Sequence, residues 1–252
     1  MFIPRIYYPQ PLNVGDTITF DKDRAHYLLT VLRLISQDEV IIFNGQGGEY
    51  DAQLIVDKKR VHAKISAFKN INRESPLEIH LGQALARGDK MDFIIQKATE
   101  LGVSSITPLF SKQSHVKLDQ ARIHKRMEHW QNIAISAAEQ SGRLRVPTLY
   151  SPVTLEQWVR NPFQGFSLVF SPASQNSLKS ITPGLSLRVA IGPESGWDDN
   201  EVRMMLSHQF TDATLGPRIL RAETASMSAL TMLQGFYGDL CEVASSTIND
   251  NF

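Results

Sequence analysis

With 252 residues, 42% of them hydrophobic and 21% charged, the chain can bury a large core, divides most readily into two domains, and is not disordered by composition. Lys plus Arg and Asp plus Glu balance at 26 each, so no net positive field draws the protein to nucleic acid, and a polyanion must be met by a local patch. The single cysteine, Cys241, excludes an internal disulfide framework and fits a reducing cytoplasm. The start, Met1-Phe2-Ile3-Pro4-Arg5, lacks the apolar core of a signal peptide. No run approaches the roughly 18 apolar residues of a membrane helix. The expectation is a soluble, cytoplasmic protein with no membrane partner.

Residues 17–20, 40–43, 50–56 and 61–67 are rich in β-forming residues or alternate in polarity, and they read as strands. Asn44-Gly45-Gln46-Gly47-Gly48 is a hairpin turn, because Asn and Gly tolerate positive φ. Residues 23–34 have helical spacing, with Tyr27, Leu28, Val31 and Leu32 on one face and Asp21 or Asp23 as cap. Strands in this number suggest a small barrel. Arg5, Arg24, His26 and Arg33 fall here, either as a basic patch or as scattered surface charge. The polar, turn-rich stretch 69–76 marks a domain boundary.

Beyond it, strands alternate with longer helices, the pattern of parallel βα units. Strand 78–85 leads to Arg87-Gly88-Asp89-Lys90, where Asp89 caps a helix that runs to Leu101 and stops at Gly102. Strand 103–109 follows. Asp119 then opens a long helix with Trp130, Ala134, Ala137 and Ala138 on one stripe, ending in Glu139-Gln140-Ser141-Gly142-Arg143. A short helix, 154–159, and strands 167–171 and 187–191 come next. Cys241, late in the final helix, reads as packing, not as a nucleophile. The tail 244–252 is polar and reads as flexible.

Two loops carry the chemistry. After strand 187–191 the chain reads Gly192-Pro193-Glu194-Ser195-Gly196-Trp197 and starts a helix, with Asp198 and Glu201 at capping-box spacing. A glycine-rich loop after a parallel strand lets a ligand approach the backbone, although the spacing is neither a dinucleotide fingerprint nor a P-loop. The second run is Leu215-Gly216-Pro217-Arg218-Ile219-Leu220-Arg221-Ala222-Glu223-Thr224-Ala225. It enters a helix from 226 to about 240, whose first turn Thr224 or Glu223 can cap. Neighbouring βα loops at the carboxyl edge of a parallel sheet meet in space, and clefts form there. No His or Cys cluster has metal-ligand spacing, so no metal is expected, and no nucleophile elbow is present.

These two loops closely resemble the signature of the RsmE family, SPOUT-class methyltransferases that modify N3 of the uridine at position 1498 of 16S rRNA. The resemblance extends through Ile3-Pro4-Arg5, Val31-Leu32-Arg33, the run from Gln96 to Val103, and Glu139 to Arg143. The family's first loop usually reads Gly-Pro-Glu-Gly-Gly, and Ser195 stands at its fourth position. A glycine needing positive φ there would leave Ser195 strained.

The resemblance implies a PUA-like RNA-binding β-barrel over residues 1–72 and an α/β domain with a parallel sheet and a trefoil knot over 73–243. Connection rules make a knot nearly the last topology to propose, so it is expected from the resemblance alone. Further implied are S-adenosylmethionine, a homodimer, and 16S rRNA within the small ribosomal subunit as partner. The cofactor residues implied are Phe170, Ile191, Gly192, Pro193, Glu194, Gly196, Leu215, Gly216, Ile219, Leu220, Glu223, Thr224 and Ala225. RNA contacts fall to Arg5, Arg24, His26, Arg33, Arg87 and Lys90.

Methylating N3 requires losing its proton or stabilising the anion on O2 and O4. Arg221 can stabilise that anion. Glu194 or Glu223 can act as base or fix an arginine, and Arg143 can reach a neighbouring site across a dimer. Two other readings remain: a non-enzymatic RNA-binding or ribosome-assembly protein, and a methyltransferase acting on another RNA.

Overall fold

A computed structural model of the protein describes residues 3–58, 60–114 and 120–242. The helix start expected at Asp119 and the tail 244–252 lie outside these residues. The described residues form two compact units. One holds the chain up to Glu74 together with Ala138–Arg145, and the other holds Ser75–Ala137 and Val146–Glu242.

The first unit is a five-stranded sheet of β1 (Arg5–Tyr7), β2 (Thr17–Thr19), β3 (Glu39–Phe43), β4 (Glu49–Asp57) and β5 (Arg60–Lys69), in the order β1-β3-β4-β5-β2. β1 pairs parallel with β3, and its three residues are too few to show alternation in the sequence. The β3–β4 turn places Gly45 and Gly47 at φ +82° and +98°, values that glycine reaches without steric cost. Alternating residues, among them Val40 and Ile42, then Val61, Ala63 and Ile65, fill the core of this unit.

The helix expected over 23–34 is shorter and changes pitch. Helix α1 (Lys22–His26) is capped by Asp21, whose carboxylate accepts from the Arg24 amide at 2.7 Å. Tyr27–Val31 continue as a π-helical turn, which seats Leu28 fully in the core. Arg33, at φ +56°, ends it.

The second unit is a parallel sheet in the order β12-β10-β11-β6-β7-β8, with β9 also paired to β7. Its strands are β6 (Glu78–Ala84), β7 (Ser105–Phe110), β8 (Thr148–Leu149), β9 (Val153–Thr154), β10 (Phe166–Phe170), β11 (Ser186–Ile191) and β12 (Thr211–Ala213). Strand side chains alternate between two helical layers. Leu168, Phe170, Val189 and Ile191 pack with α2 (Lys90–Glu100), α3 (Gln120–Ser141) and α6 (Ala222–Tyr237). Val169 and Ala190 face α4 (Leu155–Arg160) and α5 (Asp199–Ser207).

A buried arginine sits under that second layer. Arg188 donates to Ser167 Oγ at 2.8 Å and to the carbonyls of Trp158 and Asn161 at 3.2 and 3.0 Å, at the C-terminal end of α4. Its guanidinium lies 4.5 Å from the Phe210 ring centre. Helix-end carbonyls and aromatic faces therefore hold the charge in place of a carboxylate.

Helix α6 is fastened to the sheet by buried polar contacts. Ser226 Oγ lies 2.6 Å from Gln83 Oε1, and both residues are completely buried. Near the other end, Gln234 accepts from Ser75 Oγ at 2.7 Å and donates to Leu101 O at 3.0 Å. Gly102, at φ +82°, makes room, since a β-carbon there would stand 2.9 Å from Gln234 Nε2. Replacing Ser226 with Ala strands the Gln83 carbonyl in an apolar layer. We expect this to lower unfolding stability by about 1–3 kcal/mol in urea titrations, whereas an unchanged midpoint would remove the contact from the account.

Candidate active site

Strand order reverses at β10, which has β11 on one side and β12 on the other. Loops leaving the carboxyl ends of these strands surround a cavity of about 240 Å³. Phe170, Ser171 and Pro172 line it from β10, residues 191–197 from β11, and Leu215, Gly216, Arg218, Ile219 and Leu220 from the loop after β12. Ala222 and Ala225, on the first turn of α6, close one wall.

Local bonds hold the loops. Gly196, at φ +77°, donates its amide to Pro193 O at 2.9 Å. Ser195 lies outside the left-handed region and donates to Gln113 O at 3.2 Å, so the departure from glycine leaves no backbone strain and adds a tether. On the opposite loop the Gly216 amide donates to Thr214 Oγ1 at 3.2 Å, with Gly216 at φ +95°. Asp198 and Glu201 form the expected capping box on α5.

Of the residues assigned to the cofactor, Phe170, Ile191, Gly192, Pro193, Glu194, Gly196, Leu215, Gly216, Ile219, Leu220 and Ala225 line this cavity. Glu223 and Thr224 are instead inside α6, which begins at Ala222 rather than 226. The cap expected from either side chain is not formed. Arg221 occupies the N-cap position with extended backbone and no side-chain capping bond. Starting earlier buries Ala222 and Ser226, and that burial outweighs the missing cap. Arg221 is exposed just outside the lining. Arg218 and Trp197 line the cavity and were missed, although both sit within or directly beside the two singled-out loops.

The β11 loop and the first turns of α2 and α6 also meet at one ammonium. Lys90 Nζ lies 3.1 Å from Glu194 Oε1 and 3.6 Å from Glu223 Oε2. The amide of Arg87, whose side chain is exposed, donates to Glu194 Oε1 at 3.2 Å. Burial alone would raise the Glu194 carboxyl, but its own amide, the Arg87 amide and Lys90 outweigh it and hold the group below the usual carboxylate range. Among the described residues no cluster of His, Cys, Asp and Glu could hold a metal ion.

In the first unit several of the assigned arginines are engaged. Arg5 pairs with Glu49 and donates to Arg143 O at 3.1 Å, while Arg24 pairs with Glu139. Arg143 is 6% exposed, and its Nε donates to Glu74 Oε2 at 3.1 Å. The other Glu74 oxygen accepts from the Leu144 amide at 2.8 Å. His26 and Arg33 are exposed.

The two units, one a parallel α/β sheet with a cleft at its order reversal and the other β-rich, match the two domain families of RNA methyltransferases. The RNA methyltransferase domain family matches residues 73–234, and the RNA methyltransferase PUA domain family matches residues 20–66. Ribosomal RNA small subunit methyltransferase E of Buchnera aphidicola subsp. Acyrthosiphon pisum is 37% identical, covering 94% of this chain and 95% of its own. That of Bacillus subtilis is 32% identical over 89% and 92%. A crystal structure of the Neisseria gonorrhoeae enzyme of that name, bound to S-adenosyl methionine, is 36% identical, covers 94% of this chain and 99% of its own, and superposes with TM-score 0.88. The chain belongs to the ribosomal RNA small subunit methyltransferase E family.

Removing Arg143 would leave the Glu74 carboxylate, whose side chain is 13% exposed, held by backbone amides alone and without its guanidinium. Arg143→Met is expected to destabilise the protein by about 3 kcal/mol in denaturant titrations, and a loss near zero would show the pair to be dispensable.

Proposed function

We propose that this protein transfers a methyl group from S-adenosylmethionine to N3 of the uridine at position 1498 of 16S rRNA, acting in the cytoplasm as a homodimer on the small ribosomal subunit. Family membership supports S-adenosylmethionine-dependent methylation of small-subunit rRNA. The observation that carries the reading to this chain is the loop-lined cavity at the carboxyl edge of β10, β11 and β12.

Its residues suit the cofactor. Phe170, Ile191, Leu220, Ala222 and Ala225 offer apolar surface for an adenine ring. Trp197 Nε1 is buried there with no hydrogen-bond partner among the described residues, a donor that a bound ligand would satisfy. When bound, S-adenosylmethionine supplies an electrophilic methyl group on a sulfonium.

The remaining chemistry belongs to the protein and the uridine. N3 becomes nucleophilic as its proton leaves, with the negative charge spreading onto O2 and O4. Arg218, in the cavity wall, and Arg221, the residue between the lining residues Leu220 and Ala222, are the cations available to stabilise that anion. Glu194, held ionised by its neighbours, is a weak proton acceptor and serves better as a fixed anion.

Arg221→Ala is expected to lower turnover by about 100-fold or more with no change in melting temperature, since its side chain is exposed and makes no capping bond. Wild-type turnover would remove Arg221 from the mechanism. Nucleoside mass mapping of rRNA from a deletion strain, before and after treatment with the protein, tests the assignment of the target. Appearance of 3-methyluridine at position 1498 is expected. A methyl group on another nucleotide, or none, would overturn it.

A further inference from the structure

The two walls of the cavity belong to different βα loops, and no backbone hydrogen bond recorded among the described residues joins residues 192–197 to residues 215–221. An ionic contact joins the first of these loops to α6, the helix that the second loop enters, through the first residue of a third element. Lys90 is the first residue of α2; its ammonium reaches Glu194 on the β11 loop at 3.1 Å and Glu223 on the first turn of α6 at 3.6 Å.

Without that ammonium, two carboxylates would face each other at the rim and repel. Glu223 Oε2 is buried and has no hydrogen-bond partner among the described residues, so the Lys90 charge is the compensation shown for it. Glu194 lines the cavity, and its side chain is more exposed than that of Glu223, 31% against 20%. The Glu223 carboxylate on α6, the less exposed of the two, thus anchors Lys90, and Lys90 holds the carboxylate of the β11 loop.

We infer that Lys90 is a positioning residue, an ionic clamp that sets the separation of the two walls of the S-adenosylmethionine cleft by joining Glu194 to Glu223. This gives Lys90 a role toward the cofactor, distinct from the RNA contact that the resemblance implies. It rests on the cofactor reading above. An ion pair whose side chains are about a third exposed contributes modestly, so the effect is graded and not all-or-none.

The test is calorimetric titration of the full-length protein with S-adenosylmethionine, with no RNA present. Lys90→Met is expected to weaken cofactor affinity about fivefold, and Lys90→Arg to restore most of it. Glu223→Gln is expected to weaken it similarly, and combining Glu223→Gln with Lys90→Met to add little, because both act through one contact. Amide hydrogen exchange of the ligand-free protein should show faster exchange in residues 192–197 in Lys90→Met, with the melting temperature nearly unchanged. Wild-type cofactor affinity and exchange in Lys90→Met, or a defect seen only as a raised KM for RNA, would overturn the clamp. Absence of cofactor binding by the wild-type protein would instead overturn the functional reading itself.

Discussion

Helix α6 is the part on which the cleft depends, and two buried polar contacts decide where it lies. Hydrophobic packing of Ala229, Leu230 and Leu233 drives the helix onto the sheet but does not by itself select a register along it. The Ser226–Gln83 contact fixes the first turn against β6, and Gln234, bonded to Ser75 and Leu101, fixes the far end. In a dry layer an unmatched hydroxyl or amide is costly, so a slip along the helix axis is penalised at both ends. Ala222 and Ala225 are therefore presented to the cavity in one position, and the loop from Leu215 to Arg221 must span a set distance between β12 and α6.

Charge is used locally in a chain whose net charge is zero. In the first unit, arginines 5, 24, 73 and 143 are engaged by Glu49, Glu139 and Glu74. Their guanidinium groups organise that unit's interior, and burial lowers the pKa of Arg5 and Arg24. In the second unit, by contrast, Arg218 and Arg221 carry no ion pair among those found in the described residues, and both are exposed beside the cleft. Under the proposed reaction these are the charges left available for an anion that forms only during methyl transfer.

Much of this was legible in the sequence. The period-2 and period-3.6 patterns located most strands and helices, and the glycine loop after an apolar strand marked the cleft. Other features needed three-dimensional context. The strand β1 is too short for a periodic signal, and the π-helical turn at Tyr27–Val31 shares its apolar spacing with an ordinary helix. The start of α6 was misplaced because Glu223 and Thr224 look like caps, whereas the burial of Ala222 that pulls the helix forward is a tertiary effect. Lys90 and the two glutamates are separated by more than a hundred residues, and no local pattern brings them together.

The central claim is that the cavity between the β11 and β12 loops is the cofactor site. The most direct measurement is calorimetric titration of S-adenosylmethionine into the wild-type protein and into Ala225→Trp, which fills the cavity from its α6 wall. Saturable heat in the wild type and its loss in a still-folded Ala225→Trp are the expected results. Equal binding by the filled variant would contradict the account.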